Sequence, residues 1–211
     1  MTVVDLCFPL TASQVARDHG YPLYAAITSA VPALHSVRWL GVHPIGGRPA
    51  GDELLLGPRS ELRLRLPVDG IPTVLSLAGK RLSVLGSSLV LGAPVVRAIV
   101  PRPSLDARLV LLKLTSPPTR HDASLGRDVL DTGAMEQRYI DELMRQLVQI
   151  GVDGRLELRG RRSMSIRSRR LIGYSVRVSN LDSVASIRLQ EHGLGGRRAL
   201  GCGLFRATRG R

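Results

Sequence analysis

Aromatic residues, cysteines and long apolar runs are all scarce in this 211-residue chain. Phe, Trp and Tyr together make up 3% of it, so the core must be aliphatic. No apolar run approaches the roughly 18 residues that a membrane span needs, and the N-terminus MTVVDLCFPL lacks the basic flank and long apolar region of a signal peptide. We therefore expect a cytoplasmic protein without membrane contact. The two cysteines, Cys7 and Cys202, are too few for a metal cluster and are expected to be reduced.

Acidic residues and lysine are scarce as well. Seventeen acidic residues face thirty basic ones, which leaves a net charge of +13. Only Lys80 and Lys113 are lysines, so almost all of the positive charge is arginine, whose planar fork suits phosphate and guanine edges. This balance favours a polyanionic partner such as nucleic acid. The Asp and Glu residues do not cluster, which argues against two-metal nuclease chemistry, and we expect neither a metal nor a cofactor.

One order of secondary-structure elements is predicted twice along the chain. Val3 to Leu10 and SELRLRLP alternate like strands, VRWLGVHPIGG is a strand that runs into a glycine turn, and RLSVLGSSLVLG is a strand or a hairpin. Helices are predicted from about Pro22 and at IPTVLSLAGK. After the proline-rich APVVRAIVPRPS, the order repeats with LDARLVLLKL, MEQRYIDELMRQLVQIG, two strands from Gly154 to Asn180, DSVASIRLQEHG and LFRAT.

The repeated order, β-α-β-β-α-β, predicts an α+β fold of two tandem ferredoxin-like domains, an arrangement that RNA-recognition motifs share. We place the domains at residues 1–100 and 101–211, with a glycine-rich loop near the C-terminus. Aromatic residues for base stacking on a sheet are nearly limited to Phe8, Trp39 and Phe205, which disfavours the stacking mode of RNA-recognition motifs.

The glycine-rich loop, GLGGRRALGCG at residues 193–203, follows a predicted helix and precedes the last strand. No Gly-Lys-Ser/Thr follows it and no helix begins at its end, which excludes a Walker loop and a dinucleotide-binding loop. Two interpretations remain open. The loop is a tight connection, or its backbone N–H groups approach a phosphate. The residues of the second interpretation are Gly193, Gly195, Gly196, Arg197 and Arg198.

Several segments together resemble a known family. VDLCFPL, DHGYPLYAAI, VPALH, LAGKRLSVLGSSLVLG and LQEHGLGGRRALGCGLF are similar, in order and spacing, to the myxococcal-type branch of the CRISPR precursor-RNA processing endoribonucleases in the RAMP superfamily. The resemblance covers nearly the whole chain. It implies metal-independent cleavage of CRISPR repeat RNA, leaving a 2′,3′-cyclic phosphate or 3′-phosphate and a 5′-hydroxyl. It also implies that the product stays bound and that other effector-complex subunits are partners. A catalytically inactive RNA-binding subunit and a basic ribosome-associated protein are the alternatives.

An arginine run in the second half is a candidate RNA contact. A charged, solvated strand edge is the alternative, because charges protect sheet edges from pairing with other chains. The number of charges favours RNA phosphates. The candidates lie near the expected hairpin tip: Arg161, Arg162, Arg167, Arg169 and Arg170.

Candidate catalytic residues surround the first helix. The resemblance implies a catalytic histidine on or just after that helix, which favours His35, with His19 as the second candidate and Tyr24 as an orienting residue. His35 is expected to lie opposite the face where the glycine-rich loop would hold a phosphate. The alternatives are a helix-entry role for His19 and a surface role for His35 at a helix end. His43 is expected to be structural.

Overall fold

The structure is a computed structural model that describes residues 2–35, 37–114, 119–122 and 127–207. Its first half consists of a main antiparallel sheet, a smaller three-stranded sheet and two α-helices. The strands are β1 (Val3–Thr11), β2 (Gln14–Ala16), β3 (Gly41–Val42), β4 (Arg48–Ala50), β5 (Glu53–Leu55), β6 (Glu61–Pro67), β7 (Arg81–Val84), β8 (Ser87–Leu91) and β9 (Val95–Ala98). The helices are α1 (Gly20–Ala30) and α2 (Ile71–Leu75), with 3-10 turns at Pro32–Leu34 and Val68–Gly70.

The second half repeats this plan with a four-stranded sheet and two α-helices. A separate two-stranded hairpin is also present. The strands are β10 (Ser104–Val110), β11 (Thr119–Asp122), β12 (Arg127–Leu130), β13 (Arg155–Ile166), β14 (Arg169–Ser179) and β15 (Arg206–Ala207). The helices are α3 (Thr132–Gln149) and α4 (Ser183–His192), with a 3-10 turn at Arg198–Leu200.

Strand order confirms the ferredoxin-like fold of both halves. The first sheet runs β3-β6-β1-β8, and the second runs β13-β14-β10-β15. In each, the first strand of the unit lies between the third and the fourth, as a β-α-β-β-α-β unit requires. Each sheet has its own core, with α1 and α2 packed on the first and α3 and α4 on the second. The domain boundary at residues 100 and 101 stays a prediction.

Local sequence explains the most regular elements. In β6 the leucines Leu62, Leu64 and Leu66 alternate with charged residues and are fully buried, because successive strand residues face opposite sides of the sheet. The caps of α3 and α4 are Asp131 and Asp182, whose side chains accept hydrogen bonds from the N–H groups three residues on. These helices therefore begin where the sequence supplies a cap.

Three expectations differ from the structure. Helix α1 begins at Gly20 rather than near Pro22. The strand expected in VRWLGVHPIGG is reduced to Gly41–Val42. The segment APVVRAIVPRPS is only partly a linker, since Val95–Ala98 forms β9 and pairs with β1. The β-branched valines favour that strand, and Pro94 before it and Pro101 and Pro103 after it all lie outside it, so they do not interrupt its hydrogen bonds. Among the described residues, no helix is long and apolar enough to cross a bilayer.

A buried arginine joins the two halves. Arg65 on β6 is 1% exposed and forms a bidentate ion pair with Asp5 on β1, with N–O distances of 2.8 and 3.0 Å. Its Nη1 also donates to the carbonyl oxygens of Gln190 and Phe205 in the second half, at 2.9 and 2.7 Å. The guanidinium thus satisfies polar groups from both halves inside their interface.

Candidate nucleic-acid interface

The candidate RNA-binding arginines lie on the hairpin of β13 and β14, whose strands pair from Arg155 with Ser179 to Ile166 with Arg169. Arg167 is therefore at the tip, where its φ of +52° is unusual for a residue other than glycine. The five candidates are exposed, and Gly160 forms a bulge between the tip and the base of the hairpin. The hairpin presents their charge to solvent: Arg161, Arg162, Arg167, Arg169 and Arg170.

The hairpin tip is fastened to the start of α1 in the first half. The backbone N–H of Ser165 donates to Asp18 Oδ2 at 2.7 Å, and Arg167 Nε donates to the hydroxyl of Tyr21 at 3.2 Å. Neither Asp18 nor Tyr21 is among the candidates that the sequence suggests. Both lie in the DHGYPLY segment that carries the family resemblance, directly beside His19 or two residues from it. That proximity is the signal that could have indicated them.

The glycine-rich segment, residues 193–203, uses its N–H groups inside the protein. Gly193 N–H donates to Leu189 O at 2.9 Å, Gly195 N–H to Gln146 Oε1 at 2.8 Å and Gly196 N–H to Leu111 O at 3.1 Å. These three groups are therefore not free to bind a phosphate. The expected cradle of glycine N–H groups is not available, and the tight-connection interpretation accounts for their geometry.

Two of these glycines are required by the backbone conformation. Gly193 and Gly203 both have positive φ, at +66° and +67°. A Cβ on Gly193 would overlap Gly203 O, and a Cβ on Gly203 would overlap Leu194 O, where the backbone doubles back and Leu194 N–H donates to Gly203 O at 3.2 Å. Any side chain at either position would separate these two stretches of backbone.

The two arginines of the segment have different surroundings. Arg197 is exposed and starts the last 3-10 turn, with a φ of +64°. Arg198 is half-buried and its Nη1 donates to His192 O at 2.9 Å. Burial lowers the pKa of Arg198 to about 10, and the charge of Arg65 contributes to the same shift. The side chain of Arg197 is already at the surface and can contact a ligand, whereas the side chain of Arg198 would first have to leave the protein interior.

His19 is a buried residue with both ring nitrogens engaged. Its side chain is fully buried, Nδ1 lies 2.7 Å from Ala16 O, and Nε2 accepts the N–H of Ile45 at 3.0 Å. The proton must therefore be on Nδ1. Burial lowers the pKa of His19. This arrangement argues against proton transfer to a substrate and favours the helix-entry role.

His35 and Tyr24 lie on or just beyond α1. His35 is exposed and ends the 3-10 turn Pro32–Leu34, where its N–H donates to Pro32 O at 2.9 Å. Tyr24 is half-buried on α1. His43, by contrast, is 3% exposed, with Nε2 at 3.9 Å from Asp5 Oδ1, and burial holds its pKa well below the ordinary value. Of the three histidines in the first half, only His35 is therefore exposed to solvent.

The two ends of α1 face different parts of the molecule. At its start, Gly20 packs so closely that a Cβ would lie 2.6 Å from Leu200 O and 3.1 Å from Met164 Cε. At its end, Lys80 Nζ donates to Ala30 O at 2.6 Å. The hairpin tip and the glycine-rich segment therefore meet the start of the helix. The 11 residues of α1 span about 16 Å, which separates this start from the other end of the helix. His35 lies beyond its other end, away from the glycine-rich segment.

Basic residues outside the hairpin extend the positive surface. A cleft of about 890 Å³ on the first half is lined by Arg59, Arg63 and Arg97, and by Arg206 from β15. Glu61 pairs there with both Arg63 and Arg97, at 2.6 and 2.9 Å. The charge on this face is therefore partly compensated within the protein.

Comparison with known proteins gives a consistent result. The family model Cas6 Crispr matches residues 4–210. A CRISPR-associated endonuclease Cas6 of Myxococcus xanthus (strain DK1622) is 36% identical over 205 residues, which cover 97% of this chain and 81% of that protein. A solved CRISPR associated protein Cas6 has a TM-score of 0.65 at 13% identity, with 98% of this chain and 100% of that chain covered. A RAMP protein described as binding different RNA substrates has a TM-score of 0.59 at 13% identity, with the same coverage.

Proposed function

The chain belongs to the Cas6 family, and we propose that it is an endoribonuclease that cleaves CRISPR repeat RNA within the precursor transcript. The observation that carries this proposal is the docking of an arginine-rich hairpin onto the start of α1, in a chain 36% identical to a Cas6 endonuclease. The relative supplies the reaction class, and the exposed arginines supply a surface for the RNA backbone.

We place RNA binding on the hairpin and on Arg197. Guanidinium groups bind phosphate oxygens through paired hydrogen bonds, and an A-form stem presents phosphates along its whole surface. The glycines of residues 193–203 allow the tight backbone packing beneath this surface and do not themselves contact the RNA. The protein then holds the cleaved product, acts in the cytoplasm where the transcript is made, and can deliver its product to further effector subunits.

The proposed chemistry is attack by the ribose 2′-hydroxyl on the adjacent phosphate. A base removes the hydroxyl proton, the 2′-oxygen bonds to phosphorus while the bond from phosphorus to the 5′-oxygen breaks, and the departing 5′-oxygen takes up a proton. The products are a 5′-hydroxyl and a 2′,3′-cyclic phosphate, which water can open to a 3′-phosphate. His35 is our candidate base, because imidazole exchanges a proton near neutral pH and His19 and His43 are buried. Tyr24 precedes it on α1 and is the candidate for orienting the hydroxyl.

Substitution of the candidate base tests this assignment. His35→Ala should lower the single-turnover cleavage rate of repeat RNA by about 10² to 10⁴, with little change in affinity. Tyr24→Phe should have a smaller effect. His19→Gln is the control, since it removes buried hydrogen bonds and should lower thermal stability while the folded fraction still cleaves. If the parent protein cleaves the RNA and His35→Ala cleaves it at the same rate, the catalytic base is a residue other than His35.

The hairpin is tested by its charge. Replacing Arg167, Arg169 and Arg170 together by Gln should weaken RNA binding strongly and flatten its salt dependence, by about 0.7 to 0.9 in the log–log slope for each phosphate that is no longer neutralised. The matched control is the triple replacement of Arg81, Arg102 and Arg188, which are exposed on β7, the segment between the sheets, and α4. Equal salt slopes for the two triple variants would show that the hairpin is only a solvated edge.

A catalytically inactive RNA-binding subunit is the second candidate function. The burial of His19 and His43 favours it, because it leaves a single exposed histidine in the first half. Tight binding of repeat RNA by the parent protein without any cleavage would establish this alternative.

A further inference from the structure

Three arginines from separate elements meet at one small cleft beside the start of α1. Arg17 lies in the connection between β2 and α1, Arg108 lies on β10, and Arg162 lies on β13. All three are exposed, and all three line a cleft of about 50 Å³. Only Arg162 belongs to the hairpin arginines described above, so Arg17 and Arg108 join a group that has contributions from both halves of the protein.

The backbone holds these arginines in place before any ligand arrives. Arg17 N–H donates to Asp52 O at 2.7 Å, and Arg108 Nη2 lies 3.5 Å from Arg17 O. Arg162 is opposite Gly173 in the register of the hairpin. The hydrogen bond from Ser165 N–H to Asp18 Oδ2 then fixes the hairpin against the connection that carries Arg17. Binding therefore needs little rearrangement of the backbone.

The cleft has an excess of positive charge. Partial burial lowers the pKa of Arg108, the nearby Asp18 opposes this, and the charges of Arg17 and Arg162 lower it again. Arg108 is thus close enough to both Arg17 and Arg162 to be repelled by their charges. Asp18 is the carboxylate among the cleft-lining residues, and its Oδ2 already accepts a hydrogen bond from the backbone. An anion that entered the cleft would relieve the repulsion.

We propose that Arg17, Arg108 and Arg162 form a subsite for one phosphate group of the RNA backbone. This inference rests on the proposed function and deepens it. At about 50 Å³ the cleft exceeds the roughly 10 to 15 Å³ that one water molecule needs on the same measure, so it has room for phosphate oxygens. Planar guanidinium forks suit those oxygens. The hairpin tip contacts Tyr21 in the first turn of α1, which places the subsite at the end of the hairpin surface.

The subsite predicts coupled effects of substitution. Arg17→Gln, Arg108→Gln and Arg162→Gln should each weaken binding of a fluorescently labelled repeat RNA by roughly tenfold, because each removes charge-assisted hydrogen bonds to the same group. The double variant Arg108→Gln/Arg162→Gln should weaken binding by clearly less than the roughly hundredfold that independent contacts would give. Arg81→Gln, on β7, is the matched control and should bind like the parent protein.

Asp18 gives a prediction of opposite sign. Asp18→Asn keeps an oxygen that can accept the Ser165 N–H but removes the negative charge beside the phosphate. Affinity for RNA should then rise by roughly threefold at low salt and by less at high salt. Melting temperatures of the arginine variants should stay near that of the parent protein, because these residues are exposed.

The phosphate itself can be located with chemically modified RNA. Repeat RNAs with a single neutral methylphosphonate linkage at successive positions should include one position that weakens binding by the parent protein but not by Arg108→Gln. Inorganic phosphate at millimolar concentration should compete only weakly, because a free ion lacks the hairpin contacts. Normal RNA binding and cleavage by the parent, together with additive arginine effects and no such position, would refute the subsite alone. Failure of the parent to bind repeat RNA would instead refute the proposed function.

Discussion

Replacement of Arg65 by methionine should destabilise the protein more than any change at its surface. Arg65 is 1% exposed and satisfies four acceptor atoms, namely both oxygens of Asp5 and the carbonyls of Gln190 and Phe205. Methionine fills similar volume without any donor. Two basic neighbours of Asp5 then remain. They are Arg63, whose Nη1 is 3.5 Å from Asp5 Oδ2, and His43, which is charged only when it is protonated.

The expected cost follows from what remains buried. Removing one partner of a buried ion pair costs about 3 to 5 kcal/mol, mostly because the other charge stays desolvated. For a chain of this size each kcal/mol shifts the melting temperature by about 2 to 4 °C, so Arg65→Met should melt roughly 10 °C lower. Since Arg65 joins the halves, we also expect the variant to unfold in two transitions where the parent unfolds in one.

This prediction is tested by measuring the melting temperature and the free energy of unfolding of four proteins, by calorimetry and by urea unfolding. The parent and Arg65→Met are compared with Asp5→Leu and with the double variant Asp5→Leu/Arg65→Met. The double variant should recover part of the stability, because no charge is left unpaired, yet stay below the parent since the two carbonyl groups still lack a donor. A destabilisation below about 1 kcal/mol in Arg65→Met, or strictly additive effects in the double variant, would show that Arg65 and Asp5 do not stabilise the protein as a buried pair.

Two further predictions concern the glycine-rich segment and acid stability. Gly203→Ala should destabilise by at least about 2 kcal/mol in urea unfolding, because its φ is +67° and a Cβ would overlap Leu194 O, whereas Gly196→Ala, with no atom within 4 Å of its Cβ, should change stability little. Equal effects at the two positions would contradict the tight-connection role. Burial lowers the pKa of His19 and, more strongly, of His43, so the unfolded state takes up protons that the folded state does not. Stability should be fully present above about pH 6.5 and fall below it by about 1.4 kcal/mol per pH unit for each histidine, and His43→Gln should make the fall shallower; an unchanged slope in His43→Gln would show that His43 takes no part.

Local pattern is sufficient for the regular parts of the fold. The alternation of β6 and the caps at Asp131 and Asp182 act over a few residues, so the sequence alone predicts those elements. The same alternation predicts that the side chain of Arg65 is exposed to solvent. The second half of the protein covers that face of the sheet, however, and buries Arg65. Its hydrogen bonds to Gln190 O and Phe205 O join residues that are 125 and 140 positions apart in the sequence, and no local sequence pattern can predict such contacts.

The candidate site is predictable from sequence in composition but not in arrangement. The exposed hairpin arginines follow from charge density and strand pairing, both readable in the sequence. The roles of Asp18 and Tyr21 depend on the docking of the hairpin tip on α1. His19 and His35 are both candidates in the sequence, and only the packing of Ala16 and Ile45 around the ring of His19 separates the two.

Cleavage of repeat RNA by the purified protein in excess EDTA tests whether this chain is a metal-independent endoribonuclease. The repeat should come from the CRISPR array of the same genome, and its product ends should be analysed. We expect cleavage at one position, a 5′-hydroxyl on the downstream fragment, and abolished cleavage when the 2′-hydroxyl just upstream of the cut is replaced by hydrogen. A strict requirement for Mg²⁺, or cleavage of the 2′-deoxy RNA at the same position, would contradict it.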